Sequence, residues 1–138
     1  MTEAQLILSD QIEGYPHPKL TETLYGHEYQ EQEFIDCYNS NKLHHCWLIT
    51  GLKGIGKATL AWRIAKYVLT QPIKISETNN FFDELNGQNS LELNEQFKNS
   101  IEARILAESE PRLAVIRRSF DEKRKTFRTS IGIDEIRR

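Results

Sequence analysis

The stretch "LITGLKGIGKATLAWRIAKYVL" (48–69) is the part of this chain that most strongly indicates its fold. A short apolar run leads into Gly51, four residues separate Gly51 from Gly56, and Lys57 opens a segment with apolar residues at spacings of four. Glycines in such a turn let backbone N–H groups converge, the following helix adds its positive end, and the lysine reaches the outer oxygens of an anion. The order of strand, glycine-rich turn and helix therefore predicts a phosphate-binding loop.

The residue after the lysine departs from the full motif. A Ser or Thr at that position normally coordinates the magnesium ion that bridges the outer phosphates, but this chain has Ala58. Thr59 lies about 100° further around the helix, so its hydroxyl cannot replace the missing ligand without a local shift. We therefore expect ATP or ADP with magnesium to bind weakly or not at all. A nucleotide that does bind is expected to be hydrolysed slowly. Two alternatives stay open. The loop is either empty and only a part of the fold, or it belongs to a competent ATPase or kinase with the same kind of phosphate loop.

Length and composition predict one soluble domain. The 138 residues are 38% hydrophobic and 28% charged, and no apolar run approaches the roughly 20 residues of a membrane span. The first residues lack the features of a secretory signal, and Cys37 and Cys46 form no disulfide framework. These observations predict a cytoplasmic protein without a membrane partner. The histidines and cysteines show no spacing typical of a metal site, so no metal ligand is assigned.

The charges are unevenly distributed along the chain. Residues 111–138 hold 9 of the 18 basic side chains and only 4 of the 20 acidic ones, although the whole chain has a formal net charge of −2. A basic cluster at 117–128 predicts either a solvated turn or a contact with nucleic acid or another subunit. Asp121 and Glu122 interrupt this cluster, which favours the solvated turn.

Periodicity and turn residues predict the following elements. We expect a fold of the α/β class, with parallel strands flanked by helices, an N-terminal arm at 1–23 and a flexible insertion at 74–90. Trp62 and Lys66 share the face of their helix that lies opposite its apolar stripe, and the sequence leaves open whether they pack on the insertion or on a partner. The predicted helices span about 28–38, 56–70 and 91–109. The predicted strands span 45–50, 112–118 and 126–133, and the last two of them form a hairpin. Asp134 is expected to cap a short final helix.

The block "LYGHEYQEQEFIDCYNSNKLHHCWLITGLKGIGKATLAWRIAKYVL" (24–69), together with "IGIDEIRR" (131–138), resembles the N-terminal part of bacterial clamp-loader subunits. Within that family it is most similar to the delta prime subunits of DNA polymerase III. The resemblance implies a P-loop NTPase domain of the AAA+ type, of which residues 24–138 would be a truncated N-terminal portion that continues beyond Arg138. It also implies a role in loading the sliding clamp on primed DNA, with delta and tau or gamma subunits as partners.

The same resemblance implies a nucleotide site. The phosphates would lie against Gly51, Gly54, Gly56 and Lys57, and the base would lie near Leu24, Tyr25 and Gly26; Ile55, Ala58 and Thr59 complete the predicted site. Delta prime subunits are often poor ATPases, which agrees with Ala58, so no catalytic residue is assigned. Many relatives carry a four-cysteine zinc module after the loop helix, whereas the insertion here contains no cysteine, so we expect no zinc. The motif "IGIDE" (131–135) resembles a magnesium-binding acidic strand, but its continuation into "IRR" favours the helix cap.

Overall fold

The computed structural model describes residues 8–71 and 90–137. The first element of regular secondary structure is a 3-10 helix. Helices follow on both sides of the glycine-rich loop, and a hairpin lies near the end. The elements are the 3-10 helix Pro18–Leu20, α1 Glu28–Asn39, α2 Lys57–Thr70, α3 Ser90–Leu106, β1 Phe120–Asp121, β2 Thr126–Phe127 and α4 Ile133–Ile136.

The three long helices confirm the predictions from periodicity, and local backbone chemistry explains where two of them end. After α1, Asn41 takes a left-handed conformation (φ 55°), and the amide of Lys42 donates to the carbonyl of Cys37 at 2.9 Å. After α3, Glu108 does the same (φ 55°), and the amide of Ser109 donates to the carbonyl of Arg104 at 2.8 Å. Both ends are Schellman motifs, in which a left-handed residue stops the helix and satisfies its last carbonyls. The second motif ends α3 at Leu106, three residues before the predicted end.

The strands predicted at 45–50 and 112–118 are not formed. A strand exists only as part of a hydrogen-bonded ladder, and within residues 8–71 and 90–137 the ladder that is formed joins β1 to β2. Leu48, expected in a strand covered on both faces, is 87% exposed. Trp47 packs on α1 instead, with its ring centroid 5.1 Å from that of Phe34. The parallel sheet flanked by helices therefore stays a prediction.

A hairpin is present, but it is not the predicted pairing of 112–118 with 126–133, and of the predicted strand 126–133 only Thr126–Phe127 is formed. Phe120 pairs with Phe127 and Asp121 with Thr126 in an antiparallel register, so β1 lies inside the segment that was predicted to be the turn. The final helix α4 begins at Ile133 with Gly132 as its cap. The prediction that Asp134 is the cap is wrong, because Asp134 lies in the first helical turn.

The chain divides into two compact units, whose described residues are 8–62 with 114–137, and 63–71 with 90–113. In the first unit Phe34, Leu60 and Trp62 are buried. In the second unit Ile101 and Ile105 are fully buried. The predicted insertion lies outside the described residues except for Ser90, the first residue of α3. Over the part of the chain that the structure describes, no helix has the length and apolar character needed to cross a membrane.

The second unit contains a buried carboxylate, Glu110, that binds two arginine side chains. Glu110 accepts hydrogen bonds from Arg112 Nε at 2.7 Å and from Arg104 Nε at 3.0 Å. The bond from Arg112, supported by that from Arg104, outweighs burial and lowers the pKa of Glu110 to about 2 from 4.5. The ionised form is therefore favoured by the folded chain.

We expect the stability of Glu110→Gln to fall less than that of the parent when the pH is lowered below about 4.5. Because the pKa of Glu110 is lower in the folded chain, its contribution is fully present above the unfolded value of 4.5 and is lost as the pH falls through about 2. The check is the melting temperature of parent and variant at about pH 6 and about pH 3. Glu102→Gln, at an exposed position of α3, is the control and should behave like the parent. An equal loss in all three proteins would contradict the prediction.

Candidate functional site

The glycine-rich loop turns sharply into the first turn of α2. Gly54 and Gly56 have φ angles of 88° and 96°, in the region that residues with a side chain rarely adopt. The amide of Leu60 donates to the carbonyl of Gly56 at 2.9 Å, so the helical hydrogen bonds begin at the last glycine. The loop therefore brings its backbone to the N-terminus of a 14-residue helix, where N–H groups have no helical acceptor.

Gly56 is also the point where the preceding segment approaches the loop. A Cβ atom at this position would lie 2.6 Å from Leu24 Cδ1 and 3.9 Å from His27 Cε1. The structure thus places Leu24 against the loop, and its place beside the base of a nucleotide stays a prediction. Tyr25 is 82% exposed, and the amide of Gly26 donates to Glu28 Oε1 at 3.2 Å.

Lys57 lies across the mouth of the loop. Its Nζ donates to the carbonyl oxygens of Gly51 at 2.8 Å and Leu52 at 2.6 Å. Hydrogen bonds from an ammonium group to carbonyls are stronger than neutral ones, so they hold the loop closed. The same contacts keep the positive charge of Lys57 beside the converging backbone, where an anion would lie.

A cavity of about 280 Å³ lies at the loop. It is slightly smaller than the roughly 300–1,000 Å³ typical of small-molecule sites. Two segments form its wall: the loop with the start of α2, and the N-terminal arm. The lining residues are Asp10, Ile12, Tyr15, Pro16, Pro18, Lys53, Gly54, Gly56, Lys57, Ala58 and Thr59.

Five of the ten predicted site residues line this cavity, and the other five do not. Gly54, Gly56, Lys57, Ala58 and Thr59 all line it, whereas Tyr25 and Gly26 are not among its lining residues. Gly51 and Ile55 contact each other on the loop: Ile55 Cδ1 lies 2.6 Å from where a Cβ of Gly51 would be. Thr59 is 8% exposed, and it shares the cavity wall with Ala58. Thr59, the residue that follows Ala58, is therefore part of the site.

The arm is held over the loop by contacts that sequence reasoning missed. Arg117 Nε donates to both carboxylate oxygens of Asp10 at 2.8 Å. His17 is 4% exposed and packs edge-on against Trp62, with 5.9 Å between ring centroids. His17 Nδ1 accepts from the amide of Lys19 at 3.1 Å, and its Nε2 lies 3.2 Å from Asp10 Oδ2 without hydrogen-bond alignment. No periodic pattern in "YPHPKL" (15–20) signals this burial.

The described side chains near the loop offer few ligands for a metal ion. Among residues 8–71 and 90–137 no group of three or more His, Cys, Asp or Glu side chains is placed to hold one. The carboxylate of Asp10 lines the cavity but is engaged by Arg117. The side chains at the loop therefore fit a magnesium ion only if phosphate oxygens and water supply most of its ligands.

The chain matches no protein-family model, and no solved structure matches it. It is 35% identical over 49 residues to DNA polymerase III subunit gamma of Buchnera aphidicola subsp. Schizaphis graminum (strain Sg). The match covers 36% of this chain and 14% of that relative. It supports a distant relationship to a clamp-loader subunit and does not single out the delta prime type.

Proposed function

We propose that this chain is a clamp-loader subunit of the delta prime type in a DNA polymerase III assembly, with an AAA+ phosphate loop that turns over nucleotide slowly or not at all. The observation that carries the proposal is the loop at 51–57 with Lys57 across its mouth and no hydroxyl at position 58. The similarity to a DNA polymerase III subunit supports the assembly.

The loop has the chemistry needed for a polyphosphate. The N-terminus of α2 carries a partial positive charge, and its first N–H groups have no helical acceptor and can bind an anion. Lys53 and Lys57 line the same cavity and add two positive charges. The proposed ligand is ATP or ADP, with its phosphates at the glycines and its base towards Leu24 and the arm.

Ala58 is the reason for slow turnover. Magnesium prefers nearly ideal octahedral coordination, and water can replace one missing protein ligand. The loss falls on positioning, because phosphoryl transfer depends on holding metal, phosphates and nucleophile in register. Weak nucleotide binding is therefore compatible with a subunit that mainly supports assembly. The proposed partners are delta and tau or gamma subunits, and, through the assembled complex, the sliding clamp and primed DNA.

Assembly with a gamma subunit tests the proposal. When the chain is mixed with DNA polymerase III subunit gamma, we expect a complex with a Kd of about 1 μM or tighter, measured by sedimentation and by size-exclusion chromatography. Lys57→Ala should assemble like the parent if the loop serves nucleotide and not the subunit contact. Failure of the two proteins to associate at about 100 μM would contradict a role as a loader subunit.

A further inference from the structure

We propose that the hairpin near the end of the chain binds the phosphate backbone of a nucleic acid. The basic hairpin surface is defined as Arg118, Lys123, Arg124, Lys125 and Arg128, all of which are exposed. This surface is separate from the phosphate loop, so the inference goes beyond the proposed function and stands even if the loop binds no nucleotide.

Contacts within the hairpin order the backbone that carries these side chains. Phe120 and Phe127 face each other across the two strands, with ring centroids 5.4 Å apart in an edge-to-face arrangement. The amide of Arg128 donates to the carbonyl of Ser119 at 3.0 Å. At the tip, Asp121 Oδ1 accepts from the amides of Lys123 at 3.0 Å and Arg124 at 3.1 Å. Because the backbone of the turn is already ordered, binding costs little backbone entropy, although the long side chains still lose rotamer freedom.

The acidic side chains close to the hairpin have structural tasks. Asp121 shapes the turn, and Glu135 Oε1 accepts a hydrogen bond from Ser119 Oγ at 2.7 Å. Glu122 lies 3.6 Å from Lys125, but both side chains are about 80% exposed, where such pairs contribute little. Arg124 Nε lies 4.0 Å from Asp121 Oδ2, and Arg128 Nη1 lies 4.0 Å from Glu135 Oε1. Residues 118–128 hold five basic side chains against two acidic ones, so the segment keeps a net positive charge.

A nucleic acid fits this surface better than an acidic protein segment. A two-stranded ribbon has the width of the major groove of a duplex, and exposed hydroxyls such as those of Thr126, Thr129 and Ser130 are common donors to phosphates. Phe120 is 44% exposed and offers a ring to an unstacked base. The rest of the chain is acidic, since residues 1–110 hold 16 of the 20 acidic side chains and only 9 of the 18 basic ones. It repels a polyanion and directs it to this hairpin.

Fluorescence anisotropy with a labelled duplex of about 20 base pairs, and with one of its strands, tests the inference as a function of salt. We expect the parent to bind at about 50 mM salt, with a Kd that weakens steeply as salt increases. Lys123→Gln/Lys125→Gln should weaken duplex binding at least about tenfold and reduce the salt slope by roughly two. The matched control is Lys42→Gln/Lys98→Gln, which removes the same charge at exposed positions elsewhere and should bind like the parent.

The outcomes separate the alternatives. Undetectable binding by the parent at low salt, or equal loss in the two double variants, would overturn the proposal. Equally tight binding of polyglutamate of matched charge would assign the surface to acidic protein segments instead. Lys57→Ala should leave duplex binding unchanged, so failure of nucleotide binding at the loop and failure at the hairpin are told apart.

Discussion

Lys57→Ala should weaken binding of ATP and ADP about 10- to 100-fold, which corresponds to the loss of a charged hydrogen bond of about 1.5–3 kcal/mol. The Nζ of Lys57 lies at the mouth of the loop, bound to the carbonyls of Gly51 and Leu52 at 2.8 and 2.6 Å. Its removal takes away both the charge that faces a phosphate and the contacts that hold the loop closed. The measurement is a titration with a fluorescent adenine nucleotide in the presence of magnesium.

Lys53→Ala is the matched control for this change. Lys53 lines the same cavity but is exposed, so its removal takes away an equal charge without opening the loop. We expect a smaller loss of affinity from Lys53→Ala than from Lys57→Ala. Equal losses would show that only the net charge of the cavity matters, and indistinguishable curves for parent and Lys57→Ala would refute binding at the loop.

The second large effect is expected at the fully buried face of α3. Ile105→Ala should lower the free energy of unfolding by about 2–5 kcal/mol, because it removes buried methyl groups and leaves a cavity that relaxes only in part. Ile105 is 0% exposed. Urea unfolding followed by circular dichroism measures the change, and a shift in midpoint without a change in slope would show that only stability is affected.

Phe97→Ala provides the comparison within the same helix. Periodicity predicts Phe97, Ile101 and Ile105 on one stripe, but Phe97 is 44% exposed. Truncation at Phe97 should therefore cost less than truncation at Ile105, although phenylalanine is the larger side chain. A greater loss at Phe97 would show that the stripe is buried along its whole length.

The comparison between Phe97 and Ile105 shows how far a pattern leads. A repeat of four places three side chains on one face, but it does not say how far along the helix that face is covered. The strands show the same limit, because "HCWLIT" (45–50) has the composition of a buried strand. Composition cannot supply the neighbouring strand that a ladder needs, and no described segment pairs with it.

The candidate site was predictable where its parts are close in sequence. The turn at 51–57, Lys57 and the missing hydroxyl at Ala58 follow from residue types at fixed spacing. The arm over the cavity does not, because the contact between Asp10 and Arg117 joins residues 107 positions apart. His17 and Trp62 were likewise placed by packing that no local pattern encodes.

Local sequence patterns were enough to predict the three long helices, the ends of α1 and α3 to within a few residues, and the glycine-rich turn before α2. These features depend on hydrogen bonds and dihedral preferences between residues a few positions apart. Tertiary contacts were needed to establish which apolar faces are buried, which extended segments pair, and which residues complete the cavity at Lys57. Those outcomes depend on contacts between distant parts of the chain, whose free energy comes from burial and charge pairing and not from local spacing.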